Sequence, residues 1–286
     1  MKIVKYLKSK DGATIKYLQK TLDNHIIETG YYNLDEHIVC VSSQIGCEMG
    51  CIFCATGDPI DNFEPNQKFI RNLATKEIAQ QVCNIFKKLN PKSLESKSIL
   101  FSFMGMGEPF LNYSNIIQGI EILALDFPNS RVTIGTLGIS PEKMKKIANK
   151  KFPIILKIHL SLHAPTDNLR QKILPMAGKI KPALEALKYF SNKTETHSKV
   201  NYILIKNIND SENNAIELAK LLQPYPFIVK LSKLNPYNNL EPSKMEKFDL
   251  FEDILHSNGI ETCRFISTGT DIKAGCGQLR RHYYSS

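Results

Sequence analysis

The sequence predicts an α/β fold, a partial (β/α)6 barrel with a small N-terminal antiparallel β appendage packed on it. From residue 38 onward, short β-branched runs alternate with longer stretches of helical periodicity, the pattern of repeated βα units around a parallel sheet. Six such units are present, too few to close an eight-stranded barrel, so the sheet stays open with its active site at the carboxyl ends of the strands. The first 35 residues break the alternation. Ile3 to Leu18 straddles Asp11-Gly12, a hairpin turn signal, and Ile26-Ile27 supplies a further short strand.

In order along the chain, residues 1–36 form the β extension and 37–286 the core. Core strands are expected at 38–43, 98–103, 131–136, 154–161, 199–205 and 227–233, with helices at 75–89, 113–125, 141–150, 180–191, 211–223 and 243–257. Ser140-Pro141 and Ser211 with Glu212 in the first turn start two of the helices, and Asn258-Gly259 closes the last. Residues 58–68 are polar, carry two prolines and read as a loop. No repeat beyond the βα alternation and no low-complexity tract is present.

A length of 286 residues suits one barrel with an appendage, and 42% hydrophobic content supports a large core. No run of eighteen apolar residues occurs and Met1-Lys-Ile-Val-Lys-Tyr lacks a signal-peptide core, so a cytoplasmic chain away from the membrane is expected; a monomer is expected as well. Its seven cysteines are then reduced, or used. Lys+Arg 37 against Asp+Glu 28 gives a net charge of +9, which favours a polyanion such as RNA, the competing reading being a generic basic surface. Candidate patches are Lys143, Lys145, Lys146, Lys150 and Lys151 on one helix and Arg280-Arg281, although such runs are commonly solvated helix faces.

Cys47, Cys51 and Cys54 form C-x3-C-x2-C, with Phe53 before the last cysteine, directly after the first core strand. Three thiolates on a tight loop hold three irons of a 4Fe-4S cluster and leave the fourth iron open, which is what S-adenosylmethionine requires. A structural zinc site would want a fourth ligand, and no second C-x2-C or H-x3-H pair follows within thirty residues. Zinc and plain electron carriage are the competing readings. Of the other cysteines, Cys83 in a helical run and Cys263 in an edge strand read as small buried thiols. Cys276, between Gly275 and Gly277, sits on a pliable loop. Cys40, seven residues before Cys47, would face the opposite side if the strand ran on, and taken alone reads as core.

Three more polar turns fall at strand carboxyl ends. Gly105-Met-Gly-Glu-Pro109 places Glu108 where a carboxylate can accept from an ammonium group, and its glycines let backbone approach a ligand. Ser161-Leu-His163 and Asn235-Pro236 end two later strands. With the cysteine loop, these turns converge on one barrel rim.

Cys40-Val-Ser-Ser-Gln-Ile-Gly-Cys47, Gly105 to Pro109, Ser161-Leu-His163-Ala-Pro, Asn209-Asp-Ser211, Asn235-Pro and Asp271 to Leu279 occur in the order found in the radical S-adenosylmethionine RNA adenine methyltransferases, and the whole chain resembles that family. The resemblance implies methylation of carbon 2 of an adenine in ribosomal or transfer RNA, with a sister group acting on carbon 8. It also implies two S-adenosylmethionine molecules per turnover and an electron donor such as flavodoxin or ferredoxin. In the implied mechanism Cys276 takes a methyl group from one S-adenosylmethionine. The second, bound to the open iron, is cleaved to a radical that activates that methyl for addition to the adenine. Cys40 then forms a transient disulfide with Cys276 and frees the product. Gly107, Glu108, Ser161, Leu162, His163 and Asn235 match the family's cofactor contacts, and Glu28 matches its proton acceptor.

Departures are also visible. Gly135 stands in Val-Thr-Ile-Gly-Thr where the family has a serine, so a cofactor hydrogen bond comes from backbone or is lost, and Gly135→Ser is expected to be tolerated. The loop 57–70 is long, Arg264-Phe-Ile-Ser-Thr-Gly replaces a basic stretch, and the family's N-terminal helical domain is absent from this sequence. The alternatives are the same chemistry on another acceptor, and a non-catalytic iron–sulfur RNA-binding protein.

Overall fold

The computed structural model describes residues 1–58, 67–89, 97–275 and 277–285. Its strands are β1 (Lys2–Lys8), β2 (Thr14–Lys20), β3 (Ile26–Asn33), β4 (His37–Cys40), β5 (Gln44–Gly46), β6 (Phe69–Asn72), β7 (Ile99–Phe103), β8 (Ser130–Thr136), β9 (Ile155–Ser161), β10 (Lys199–Leu204), β11 (Ile228–Lys233) and β12 (Thr262–Phe265). The helices are α1 (Thr75–Phe86), α2 (Tyr113–Asp126), α3 (Pro141–Ala148), α4 (Asp167–Ile173), α5 (Ile180–Thr194), α6 (Glu212–Leu222), α7 (Met245–Ser257) and α8 (Gln278–Ser285).

One ten-stranded sheet runs β1-β2-β3-β4-β7-β8-β9-β10-β11-β12. From β4 to β12 every neighbouring pair is parallel, so the six predicted βα units are present and the edge strand holding Cys263 adds a seventh parallel strand. The N-terminal strands are antiparallel and meet at a hairpin where Gly12 has φ +74°. They do not pack on the barrel as expected: β3 pairs with β4 from Gly30↔Cys40 to Asn33↔His37, so the appendage extends the sheet itself.

Periodicity decides what each element buries. On β9, Leu156, Ile158 and Leu160 are buried on the helix-facing side, while Lys157, His159 and Ser161 share the other face. On α1, Ile78, Val82 and Ile85 form the buried stripe packed in the core with Phe101 and Phe103. Ser211 Oγ accepts the Asn214 N–H at 3.2 Å to start α6, and Gly259 at φ +73° follows α7, as expected. Two helices go beyond the sequence expectation: α4 is short, and α8 is mostly polar and aromatic. Among the described residues no helix is long and apolar enough to cross a membrane.

Candidate functional site

The cysteine loop leaves β4 at its carboxyl end. β4 stops at Cys40, the chain turns through residues 41–43, and β5 pairs antiparallel with β6. This turn overturns the expectation that Cys40 faces away from Cys47, which required one continuous strand. Cys40, Cys47, Cys51 and Cys54 all line one cavity of about 410 Å³. Backbone bonds fix the loop: Cys47 N donates to Lys68 O at 2.7 Å, Cys54 N to Cys51 O at 3.1 Å, and Ile52 N to Ile173 O at 3.1 Å on α4. Burial raises all three thiols of the motif, Cys47 to about 12, so they become thiolates only when a cation neutralises them. Among the described residues, no three His, Cys, Asp or Glu side chains gather as ligands of a single metal ion. A cubane offers a separate iron to each thiolate, and three cysteines lining one cavity suit such a cluster.

Glu108 stands on the rim beside them. Gly107, at φ +97°, makes the turn, and a Cβ there would lie 2.6 Å from the side chains of Gln44 and Ser43. The Glu108 carboxylate accepts from Thr136 Oγ1 at 2.7 Å, Leu137 N at 2.9 Å and Phe110 N at 3.2 Å, while its own N–H donates to Gln44 Oε1 at 2.9 Å. All of these donors are neutral, and among the described residues Glu108 forms no salt bridge. Burial accordingly raises its pKa, against the lowering effect of those hydrogen bonds and of Arg170. A buried carboxylate so placed has acceptor capacity left for a cation.

Ser161, His163, Asn235, Gly135 and Gly107 line the same cavity; the Leu162 side chain does not, being fully buried in the core. His163 is left-handed, at φ 58°, and its Nδ1 accepts from Ile203 N at 3.0 Å. Burial and Arg170 lower its pKa to about 3, so the imidazole is neutral with its proton on Nε2. Phe53 packs edge-on against it at 5.2 Å. Gly135 corrects another expectation: a Cβ there would meet Met104 Cγ at 2.8 Å, so a serine requires Met104 to move.

The second anchoring point is a seam between the N-terminal strands and α8. Glu28, 2% exposed, is paired with Lys16 at 2.7 Å and accepts from Gly277 N at 3.1 Å and Arg280 N at 2.6 Å. Gly277, at φ +77°, lies so close to the turn after Cys54 that a Cβ would fall 2.4 Å from Thr56 N. Asp58 bonds Arg281 and Tyr237, tying the same turn to α8. Cys276 lies outside the described residues, but Gly275 and Gln278 on either side of it line the cavity. Residues 59–66 of the long loop 57–70 also lie outside them.

Sequence reasoning misses Arg170. Its buried guanidinium donates to Leu162 O at 3.1 Å, Leu137 O at 2.8 Å, Ser161 O at 2.9 Å and Gly178 O, clamping the ends of β8 and β9. Nothing in Asp-Asn-Leu-Arg-Gln-Lys marks this arginine as buried; only its place soon after the Ser-Leu-His turn hints at it. Asn209 belongs to one of the sequence motifs, and its side chain holds His163 O at 2.8 Å, Ile203 O at 2.7 Å and Ile205 N at 2.7 Å. The basic patches are largely engaged: Lys143 bonds Phe110 O, Lys150 pairs with Glu121, and Arg280 is buried.

Residues 41–219 match the model of the Radical SAM superfamily. The probable dual-specificity RNA methyltransferase RlmN of Dictyoglomus thermophilum is 39% identical over 96% of this chain and 78% of its own length. The protein of the same name from Clostridium botulinum is 37% identical over 99% and 81%. A crystal structure of a radical SAM methyltransferase from Sphaerobacter thermophilus superposes with a TM-score of 0.84 at 33% identity, covering 98% of this chain and 81% of that one. Chemistry in the superfamily rests on a 4Fe-4S cluster and S-adenosylmethionine. With its cysteine triad, its carboxyl-end rim and this similarity along nearly its whole length, the chain belongs to the radical SAM superfamily and, within it, to the RlmN family of dual-specificity RNA methyltransferases.

Proposed function

We propose that this protein methylates carbon 2 of an adenine in ribosomal or transfer RNA, with the methyl group carried on Cys276. The observation that carries this reading is the shared cavity: the Cys47, Cys51 and Cys54 thiols, Glu108 and the Cys40 thiol line it together, and the residues flanking Cys276 close it. When bound there, a 4Fe-4S cluster and two S-adenosylmethionine molecules per turnover supply the methyl group and the radical chemistry that an unactivated aromatic carbon requires. Cys47, Cys51 and Cys54 hold the cluster. Glu108, on the Gly107 turn, takes the cofactor ammonium, and His163, Ser161 and Asn235 face the same space, with Gly135 beside them. Leu162 contributes backbone and core packing. Glu28 holds the Cys276 loop through Gly277 and Arg280, which leaves its carboxylate little freedom to act as the proton acceptor expected from family resemblance.

Cys40 resolves the covalent product. Burial raises its pKa and Lys16 opposes that, so the lysine favours the thiolate the step needs. Attack of that thiolate on Cys276 sulfur forms the disulfide and breaks the sulfur–carbon bond. The electron pair stays with the carbon, which takes up a proton and becomes the product methyl. The reading further assigns a flavodoxin- or ferredoxin-type donor, a monomeric state, a cytoplasmic location, and a division into a β extension (1–36) and a core (37–286). Anaerobic reconstitution with S-adenosylmethionine and a panel of RNAs, followed by nucleoside mass spectrometry, is expected to yield 2-methyladenosine. A carbon-8 product would move the position of attack, and no methylated nucleoside from any RNA would overturn the reading.

A further inference from the structure

Lysines stand on the inner face of three of the last four strands, where carboxylates are missing. On β9, Lys157 shares its face with His159 and Ser161; on β10, Lys199 shares its face with Asn201 and Ile203; on β11, Lys230 shares its face with Ser232. His159, Ser161, Asn201, Ile203, Lys230 and Ser232 all line the cavity. Register brings the cations together, since Lys199 pairs with His159 and Lys230 with Asn201.

Several other cations, Lys16, Arg71, Arg131, Lys150, Lys206, Arg264 and Arg281, each meet an Asp or Glu. Among the described residues Lys157, Lys199 and Lys230 form no ion pair with a carboxylate. Lys199 reaches Cys263 Sγ at 3.4 Å, and Lys230 lies over the Phe265 ring at 4.0 Å. Burial and mutual repulsion lower Lys157 and Lys230 below the ordinary lysine value and hold His159 near 3. On the same wall, His159 Nδ1 and Asn201 Oδ1 are buried without a hydrogen-bond partner among the described residues. Uncompensated like charge is unfavourable in the protein alone and is relieved by an anion, to which His159 can donate from Nδ1 as its N–H tautomer; Asn201 Oδ1 is an acceptor and is not satisfied by it.

We propose that this wall of β9–β12 binds a phosphoryl oxyanion through Lys157, Lys199 and Lys230 and, resting on the RNA reading above, that the oxyanion is a backbone phosphodiester beside the target adenine. The wall continues into the cofactor cavity through Lys230, His159, Ser161, Asn201 and Ser232.

The test compares the full-length protein with its Lys157→Gln, Lys199→Gln, Lys230→Gln variant, using Lys145→Gln, Lys146→Gln on the exposed face of α3 as a control for lost positive charge. Inorganic phosphate, against chloride at matched ionic strength, should raise the melting temperature of the wild type and of the control but not of the wall variant. The wall variant alone should melt at the same temperature as wild type or higher, whereas merely structural lysines would lower it. With a single-stranded RNA oligonucleotide, the slope of log affinity against log salt should become shallower by about 0.7 for each phosphate that the variant no longer neutralises. Phosphate protection abolished by the variant supports the oxyanion wall even if the wild type binds no RNA, a result that would count against the RNA reading alone. Phosphate protection with an unchanged RNA slope assigns the wall to a free phosphate ligand and overturns the phosphodiester assignment. Equal phosphate responses in wild type and wall variant overturn the wall.

Discussion

Two buried carboxylates, Glu108 on the cavity rim and Glu28 at the seam with α8, are treated in opposite ways. Glu108 receives three hydrogen bonds, all from neutral donors, and no ion pair among the described residues. Glu28 has a lysine at 2.7 Å and two backbone N–H groups. The first is an anion kept ready for a cation that comes from outside; the second is committed to holding the chain. Burial alone separates neither case, and the difference lies in whether the countercharge belongs to the protein.

The sharpest test of this contrast lies in the thiols each region serves. Cys276→Ala should never accept the methyl group, while Cys40→Ala should load, react once and stall as an RNA adduct on Cys276, because disulfide formation needs a second thiol. Denaturing gels would show a nuclease-sensitive slow band for Cys40→Ala only; two equally silent mutants would remove the two-cysteine mechanism. Next, Glu28→Gln breaks a buried ion pair and two charge-assisted hydrogen bonds, so stability should fall by about 3–5 kcal/mol. Adding Lys16→Met should restore much of it, as measured by denaturant unfolding.

Glu108→Gln should behave in the opposite sense. Cofactor affinity, read by anaerobic titration, should weaken by about 1.5–3 kcal/mol, the range for hydrogen bonds to charged groups, while the ligand-free protein stays at least as stable. The pH dependence carries the same sign. Because the folded-state pKa is raised above the ordinary 4.5, Glu108 lowers stability as pH rises from that value through its folded pKa, and a thermal scan of Glu108→Gln should lack this fall. A Glu108→Gln protein that unfolds as readily as Glu28→Gln would erase the contrast. The smallest effect belongs to Gly135→Ser, which should lower stability by about 1–2 kcal/mol through crowding of Met104, and less when Met104→Ala is added.

Much of this is legible in the sequence because it is local. The C-x3-C-x2-C spacing, the turn at Gly107 and the period-2 strands each declare themselves within ten residues. What escapes is tertiary. Cys40 looks like core because the bend at 41–43 carries no glycine or proline to announce it. Arg170 looks like a surface helix residue, since its acceptors are carbonyls from Leu137 to Gly178 and carbonyls leave no trace in composition. The N-terminal strands resemble a separate appendage because pairing β3 with β4 is a matter of register. Runs of lysine along a helix suggest cationic patches there, whereas Lys157, Lys199 and Lys230 stand one to a strand and meet only across the sheet.

The seam also orders events in time. Glu28 reaches Gly277 across 249 positions, and Lys10 N reaches Asp271 across 261. Synthesis runs from the N-terminus, and contacts so distant in sequence close late. Residues 47–54 and Glu108 have emerged and can fold long before Gly277 and Arg280, the backbone partners of Glu28, exist. On the proposed roles, a nascent chain can therefore assemble the Cys47–Cys54 loop before residues 277–280 exist to dock against Glu28. The chain acquires its cofactor chemistry before it acquires anything for that chemistry to act through.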